Sequence, residues 1–187
     1  MLSVIIATRD SERALVRTLA ALVPGATAGL ISEVLVADGG SSDDTATVAD
    51  VAGCVFLSVA GSVGQRLKAA AAAARSPWLL FLRPGIVLDA PWIGEASHFS
   101  QQPVTGQRAA AFQRGGTAQS TPQQAWRLLA DALGSGPHPE QGLLISKPFY
   151  VELGGHSEFA ADTETDLLRR IGRRQIVILS AAAFTSR

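Results

Sequence analysis

Apolar residues in the first half of the chain fall in short runs separated by stretches of helical period. Leu2 to Ala7, Glu33 to Ala37, Cys54 to Val59 and Trp78 to Leu82 have strand length. Between them, Ser11 to Leu22 puts Leu15, Leu19 and Leu22 on one helical face. Asp43 to Ala52 follows Ser41 and Ser42, two candidate N-caps, and Val63 to Ala74 is rich in alanine. Strands that are apolar throughout point to a sheet covered on both faces. Their alternation with helices points to parallel strands joined by right-handed crossovers. The expected fold is therefore α/β, with a Rossmann-like, mostly parallel sheet flanked by helices.

The second half is less regular. It suggests a short helix over Pro91 to Phe99, a strand near Ala109 to Gln113 and a helix over Pro122 to Leu133. A strand over Gly142 to Ser146, a helix over Thr163 to Ile171 and a last strand over Gln175 to Leu179 follow. The Gln-, Gly-, Thr- and Ser-rich stretch from Gln101 to Ser120 and the segment Gly134 to Pro139 read as loops outside that strand.

At 187 residues, 47% of them hydrophobic and 17% charged, the chain has the material for one packed domain. Sixteen basic residues balance sixteen acidic ones, so the basic excess expected of a nucleic-acid binder is missing. The single cysteine, Cys54, cannot form an internal disulfide and reads as a small buried hydrophobe. No basic region precedes the first apolar run, and no apolar stretch is long enough to cross a bilayer. A cytoplasmic location is expected, the inner face of the membrane included.

In an open parallel sheet, ligands sit beyond the carboxyl ends of the strands. The informative segments are therefore Thr8-Arg9-Asp10, Asp38-Gly39-Gly40-Ser41-Ser42-Asp43-Asp44-Thr45 and Arg83-Pro84-Gly85. In the second, Asp38 stands at a strand tip. Its two glycines permit a tight turn, and the following helix start favours anions. The plainer reading is an ordinary turn in which Ser41 and Asp44 form a capping box. The dinucleotide fingerprint and the Gly-x-x-x-x-Gly-Lys phosphate loop are both absent.

Leu2-Ser3-Val4-Ile5-Ile6-Ala7-Thr8-Arg9-Asp10 and Glu33-Val34-Leu35-Val36-Ala37-Asp38-Gly39-Gly40-Ser41-Ser42-Asp43-Asp44-Thr45 resemble family 2 glycosyltransferases of the GT-A fold. The likeness continues through Gly64 to Ala71 and Trp78 to Leu82. It returns at Pro139 to Gly142, Leu153-Gly154-Gly155 and Thr163 to Arg170, in the family's order. It is nearest to a short bacterial subgroup. The resemblance implies one domain, with residues 1–90 as a nucleotide-binding half and 91–187 as an irregular acceptor-side half. It implies a nucleoside diphosphate sugar donor, UDP-linked before others, and transfer to a hydroxyl acceptor with inversion.

Position by position, Asp38 would bond the base, with Gly39 and Gly40 beside it, while Ala7, Thr8 and Asp10 would line the base and ribose pocket. Arg66 would lie near the diphosphate. Gly154, Gly155 and His156 would shape the acceptor side. Glu164 falls where the family has its catalytic aspartate, and Asp166 lies one helical step on. A carboxylate there could take the acceptor's proton. The plainer reading makes Thr163 a helix cap, with Asp166 completing its capping box and Glu164 a solvated first-turn acid.

One family feature is replaced. Where relatives carry Asp-x-Asp after the fourth strand, to hold manganese or magnesium, this chain has Arg83-Pro84-Gly85; the next carboxylate is Asp89. No cofactor is firmly implied. Either Arg83 receives the leaving phosphate directly, or the chain is a degenerate relative that binds a nucleotide or another protein and transfers nothing. A nucleotidyltransferase ranks last, because neither its carboxylates nor a basic Gly-rich loop is present. His98, His138 and His156 lack metal-ligand spacing. The cluster Arg169, Arg170, Arg173 and Arg174 reads as a solvated helix end, with a phosphate or an anionic membrane as the alternative contact.

Overall fold

The computed structural model describes residues 1–101, 109–115 and 137–185. The expected helix at Pro122 to Leu133 lies outside them, as does most of the loop-rich stretch from Gln101 to Ser120. In chain order the elements are β1 (Leu2–Thr8), α1 (Glu12–Thr27), β2 (Ile31–Asp38), α2 (Thr45–Val51), β3 (Val55–Ser58), α3 (Val63–Ala73) and β4 (Trp78–Leu82). There follow β5 (Ile86–Leu88), α4 (Trp92–Gln101), β6 (Ala109–Arg114), β7 (Leu143–Ser146), α5 (Lys147–Glu152), α6 (Thr163–Ile171) and β8 (Ile176–Thr185).

The strands form one eight-stranded sheet in the order β3-β2-β1-β4-β7-β6-β8-β5. β3, β2, β1 and β4 are mutually parallel, as the crossovers require. Beyond β4 the sheet becomes mixed: β7 runs antiparallel to β4 and β6, β6 and β8 are parallel, and β5 is antiparallel to β8.

The all-apolar strands have the expected cause. Val4, Ile6, Val36 and Leu80 face a cluster with Leu15 and Leu22 of α1 and Trp92 and Phe99 of α4. Ile5, Leu35 and Leu79 face the other side, against Leu67 and Ala70 of α3, Tyr150 of α5 and Leu167 and Ile171 of α6. Successive strand residues point to opposite faces, so covering both faces makes every position apolar.

Several boundaries differ from the sequence reading. α1 continues through Pro24 to Thr27. Trp92 packs against this last turn, so close to Gly25 that a side chain there would overlap its ring. The strand expected from Gly142 starts at Leu143, because Gly142 takes a φ of 69° that no strand residue adopts. β8 runs on to Thr185, where its end pairs with β5, a three-residue strand with too little pattern to be read. α5 was likewise not read. Cys54 is half-buried, and burial pushes its thiol up to about 11, which disfavours the nucleophilic thiolate.

Gly64, in the first turn of α3, packs against the carbonyl of Ser157. That carbonyl accepts the Thr163 hydroxyl at 2.7 Å and so cannot retreat freely. Gly64→Ala would gain up to about 1 kcal/mol of helix propensity. The backbone overlap costs about 2–3 kcal/mol. The net expectation is a lower Tm in thermal melts, by several degrees, despite the added alanine; a Tm equal to or above that of the unaltered protein would contradict this packing.

Candidate active site

The loops after β1 and β2 are laced together by polar side chains. Asp38, at the tip of β2, is 3% exposed. Its carboxylate accepts Thr8 Oγ1 at 2.8 Å, Gly40 N at 2.9 Å, Ser41 N at 2.8 Å and Ser41 Oγ at 2.5 Å. Those bonds occupy both oxygens. Burial works to raise its pKa, but the bonds from Ser41, Thr8 and Gly40 outweigh it and hold the group below the usual aspartate value. Gly40 carries the turn at φ 85°.

Asp10 completes the lacing. It sits at φ 47°, a left-handed conformation that aspartate tolerates better than most residues. Its N–H donates to Ser41 Oγ at 2.8 Å, and its Oδ1 accepts Ser42 N at 2.7 Å. Asp43 then takes the Glu12 N–H, at the start of α1, at 3.0 Å and the Thr45 hydroxyl at 2.5 Å. The expected capping roles of Ser41 and Ser42 are thus not realised: α2 is preceded by Asp44, which makes no side-chain cap. Ser41 turns back to Asp38 and Ser42 to Asp10, two anions that attract hydroxyl donors more strongly than a helix end needs them.

Arg66 of α3 lies beneath this loop, 6% exposed, and donates through Nη1 to the Thr8 carbonyl. A Cβ at Gly39 would overlap its guanidinium, so the glycine is what admits the arginine. Burial lowers the Arg66 pKa, with the Asp38 charge opposing. Its Nε is buried without a partner.

A cleft of about 630 Å³ opens beside this network, beyond the carboxyl ends of β1 and β4. Ala7 of β1 and Asp10 of the loop after it line one side, Arg83 and Pro84 line it from the end of β4, and Asp162 and Glu164 from the start of α6. Four of the sequence-derived candidates, Ala7, Asp10, Arg83 and Glu164, therefore share one cleft. Asp38, Gly39, Gly40 and Arg66 do not line it; they form the loop layer next to it. Thr8 is buried within that layer.

Across the cleft, Arg83 and Glu164 are joined. Arg83 Nε donates to Glu164 Oε2 at 2.7 Å, and Nη2 lies 2.5 Å from the same oxygen. Asp162 Oδ1 is 3.7 Å from Nη2. Burial raises the Glu164 pKa above the ordinary glutamate value in spite of the arginine. Burial works to lower Arg83, and Glu164 and Asp162 more than offset it. Asp162 was not singled out from sequence, although an aspartate directly before a helical run is a cap signal.

That signal is real. Asp162 caps α6, accepting Thr165 N at 3.1 Å, so the cap expected at Thr163 falls one residue earlier. The Thr163 hydroxyl is drawn instead to the Ser157 carbonyl, and Asp166 pairs with Arg170 at 2.8 Å and completes no capping box. Asp166 does not line the cleft. Glu164 is not a solvated acid; its side chain is 18% exposed.

The acceptor-side candidates are spread over a turn behind α6. Gly154 and Gly155 take φ values of 79° and 69° at the end of α5, and the Gly155 carbonyl accepts Arg170 Nη2 at 2.7 Å. Arg170 is thereby spent as a tie between α6 and this turn. His156 is 1% exposed, with Nδ1 2.9 Å from the Tyr150 hydroxyl, which also accepts the His156 N–H at 3.1 Å. Burial, with Arg170 nearby, pushes the His156 pKa down to about 3, so the ring is neutral. Burial pushes the Tyr150 hydroxyl up to about 12. His156 and Glu164 both border a small cavity of about 10 Å³, room for one water.

The residues at the end of β4 do not fit a resident divalent cation. The position is held by a guanidinium, and the nearby carboxylates Asp162 and Glu164 already face it. Asp89 is no substitute: its Oδ1 accepts Ala182 N at 2.9 Å, on β8. Among the described residues, no group of three His, Cys, Asp or Glu side chains is arranged to hold a metal ion, and no helix is long and apolar enough to cross a membrane.

No protein-family model and no curated protein sequence matches the chain. Its fold, by contrast, matches solved glycosyltransferases. Glucosyl-3-phosphoglycerate synthase from Mycobacterium tuberculosis, in complex with Mn2+, UDP and glucosyl-3-phosphoglycerate, superposes with a TM-score of 0.72 at 18% identity, over 100% of this chain and 72% of that one. TarS of S. aureus gives 0.71 at 16% identity, covering 99% and 60%. The mannosyltransferase PcManGT from Pyrobaculum calidifontis, in complex with GDP-Man and Mn2+, gives 0.75 at 14% identity, covering 99% and 56%. The architecture is thus the GT-A fold, and at these identities the likeness speaks for the fold alone.

Proposed function

We propose that this domain transfers a sugar from a nucleoside diphosphate sugar to a hydroxyl acceptor, with inversion at the anomeric carbon. The carrying observation is a half-buried carboxylate, Glu164, facing a cation, Arg83, across a cleft at the strand ends, where ligands of open α/β sheets bind. The solved structures of the same fold, some with UDP or GDP-Man, support the donor class.

In this reading the nucleotide lies along the loops after β1 and β2, and the sugar points to Glu164. The Glu164 carboxylate takes the acceptor proton as the acceptor oxygen attacks the anomeric carbon from the face opposite the diphosphate. The bond to the phosphate oxygen breaks, and its electron pair leaves with the diphosphate. A pKa raised by burial suits the base, since a stronger base shares the proton earlier. Asp38 serves the base pocket through the loop it holds, because four donors already occupy its oxygens. Arg66 fixes the same loop from below. His156 and the turn at Gly154 and Gly155 back the acceptor side, and Asp166 supports α6 through Arg170.

Calorimetric titration with UDP, GDP and their sugar conjugates, with and without manganese, tests this reading. Binding of one nucleotide in the low-micromolar to millimolar range, together with slow hydrolysis of its sugar conjugate, is the expected result. The replaced metal motif favours one rival, a non-catalytic nucleotide-binding or interaction domain. That rival predicts binding with no hydrolysis, or no binding at all.

A further inference from the structure

We infer that Arg83 is a counter-ion shared between the base and the donor: Glu164 holds it in the free protein, and an arriving nucleoside diphosphate takes it over, which frees the Glu164 carboxylate to act. The inference rests on the transferase reading above and adds to it a metal-independent diphosphate site and an order of events.

Both Arg83 Nε and Nη2 converge on a single oxygen of Glu164, within 2.7 Å. The arginine's bonds and charge lower the proton affinity of Glu164 against the burial that raises it, so removing Arg83 to a diphosphate leaves a stronger base. The two partners are not equally anchored. The Glu164 side chain is 18% exposed and fixed in the first turn of α6, whereas the Arg83 side chain is 38% exposed and extends into the cleft from a loop. A ligand entering the cleft meets the arginine first.

A diphosphate competes well for that partner. It carries more charge than a carboxylate and offers paired oxygens that match the guanidinium fork. It also gains charge as the sugar leaves, so the contact strengthens along the reaction. In balanced form, the acceptor oxygen bonds to the anomeric carbon and its proton passes to Glu164. The anomeric carbon–phosphate oxygen bond breaks, its electron pair goes to the diphosphate, and Arg83 receives the added charge. Asp162, 3.7 Å from Nη2, is a second anion from which the arginine must be drawn.

The test is calorimetric titration in EDTA of the unaltered protein and three variants, Glu164→Gln, Asp162→Asn and Arg83→Gln. UDP and GDP are compared with uridine and guanosine. Removing the internal competitor is expected to tighten diphosphate binding by about 3- to 10-fold in Glu164→Gln, and by less in Asp162→Asn, which keeps a capping side chain. Arg83→Gln is expected to weaken it by about 10-fold or more. Nucleoside affinity should not change in any variant, which also shows that each is folded. The exchange is overturned if Glu164→Gln binds the diphosphate no more tightly than the unaltered protein. It is overturned equally if Arg83→Gln binds it as well, or if the unaltered protein needs manganese to bind. In those cases the transferase reading stands. Failure of every nucleotide to bind the unaltered protein, both in EDTA and in a parallel titration with manganese, overturns both.

Discussion

Glu164→Gln is expected to lower sugar transfer by about 10²- to 10⁴-fold while the fold survives. Glutamine matches glutamate in size and can still accept from Arg83 through its amide oxygen, so the contact across the cleft persists in weakened form. What it cannot do is take a proton from the acceptor hydroxyl. The loss should appear in kcat, with the donor KM unchanged or lower, since Arg83 becomes easier to recruit. A variant that transfers within threefold of the unaltered rate would remove Glu164 from the chemistry. The pH profile gives a second readout. A base works only when deprotonated, so kcat/KM should be full above the Glu164 pKa and decline as pH falls through it. Because burial raises that pKa above the ordinary glutamate value, the decline should begin at higher pH than a solvated glutamate would give.

Asp38→Ala is expected to cost about 3 kcal/mol of stability, roughly 10 °C in Tm for a domain of this size, and to abolish nucleotide binding. The change strands the buried Thr8 hydroxyl and the Gly40 and Ser41 donors together. It also takes away the negative charge that offsets the burial of Arg66. Asp38→Asn should be only partly better, because its amide group turns one acceptor into a donor facing other donors. The sign with pH follows from the depressed Asp38 pKa. Its contribution is present above the unfolded value, near 4, and is lost as pH falls below that through the folded value. Thermal melts between pH 7 and pH 3 should show the unaltered protein losing its margin over Asp38→Ala at the acid end. An unchanged Tm in Asp38→Ala would deny the network its structural role, and unchanged nucleotide affinity would misplace the base pocket.

Much of the architecture is legible in the sequence. The first four strands match the sequence reading to within one residue at each end, except that β2 begins two residues earlier, at Ile31; their apolar character predicted a doubly covered sheet, and two core clusters lie on its faces. α6 was found at its full length. Such features repeat at short sequence range, where pattern and propensity report directly. β5 escaped because three residues carry no period, and β8 was cut short because its second half is paired to β5, a contact outside local pattern.

Motif reading reached the site as a set of residue types. The sequence by itself determined that Asp38, Asp10, Arg83 and Glu164 follow strands or open a helix, and that a cation replaces the usual carboxylates after β4. Only the tertiary structure decided how those charges are spent. Asp38 is saturated by Thr8 from 30 residues away as well as by its own loop. Arg66 is buried under Gly39 instead of exposed in the cleft. Arg83 and Glu164, 81 residues apart, meet on a single oxygen. Ion pairs and buried hydrogen bonds have no sequence period. Their partners are set by where the crossovers of the sheet bring strand ends and helix starts together, and by the cost of leaving a charge buried alone.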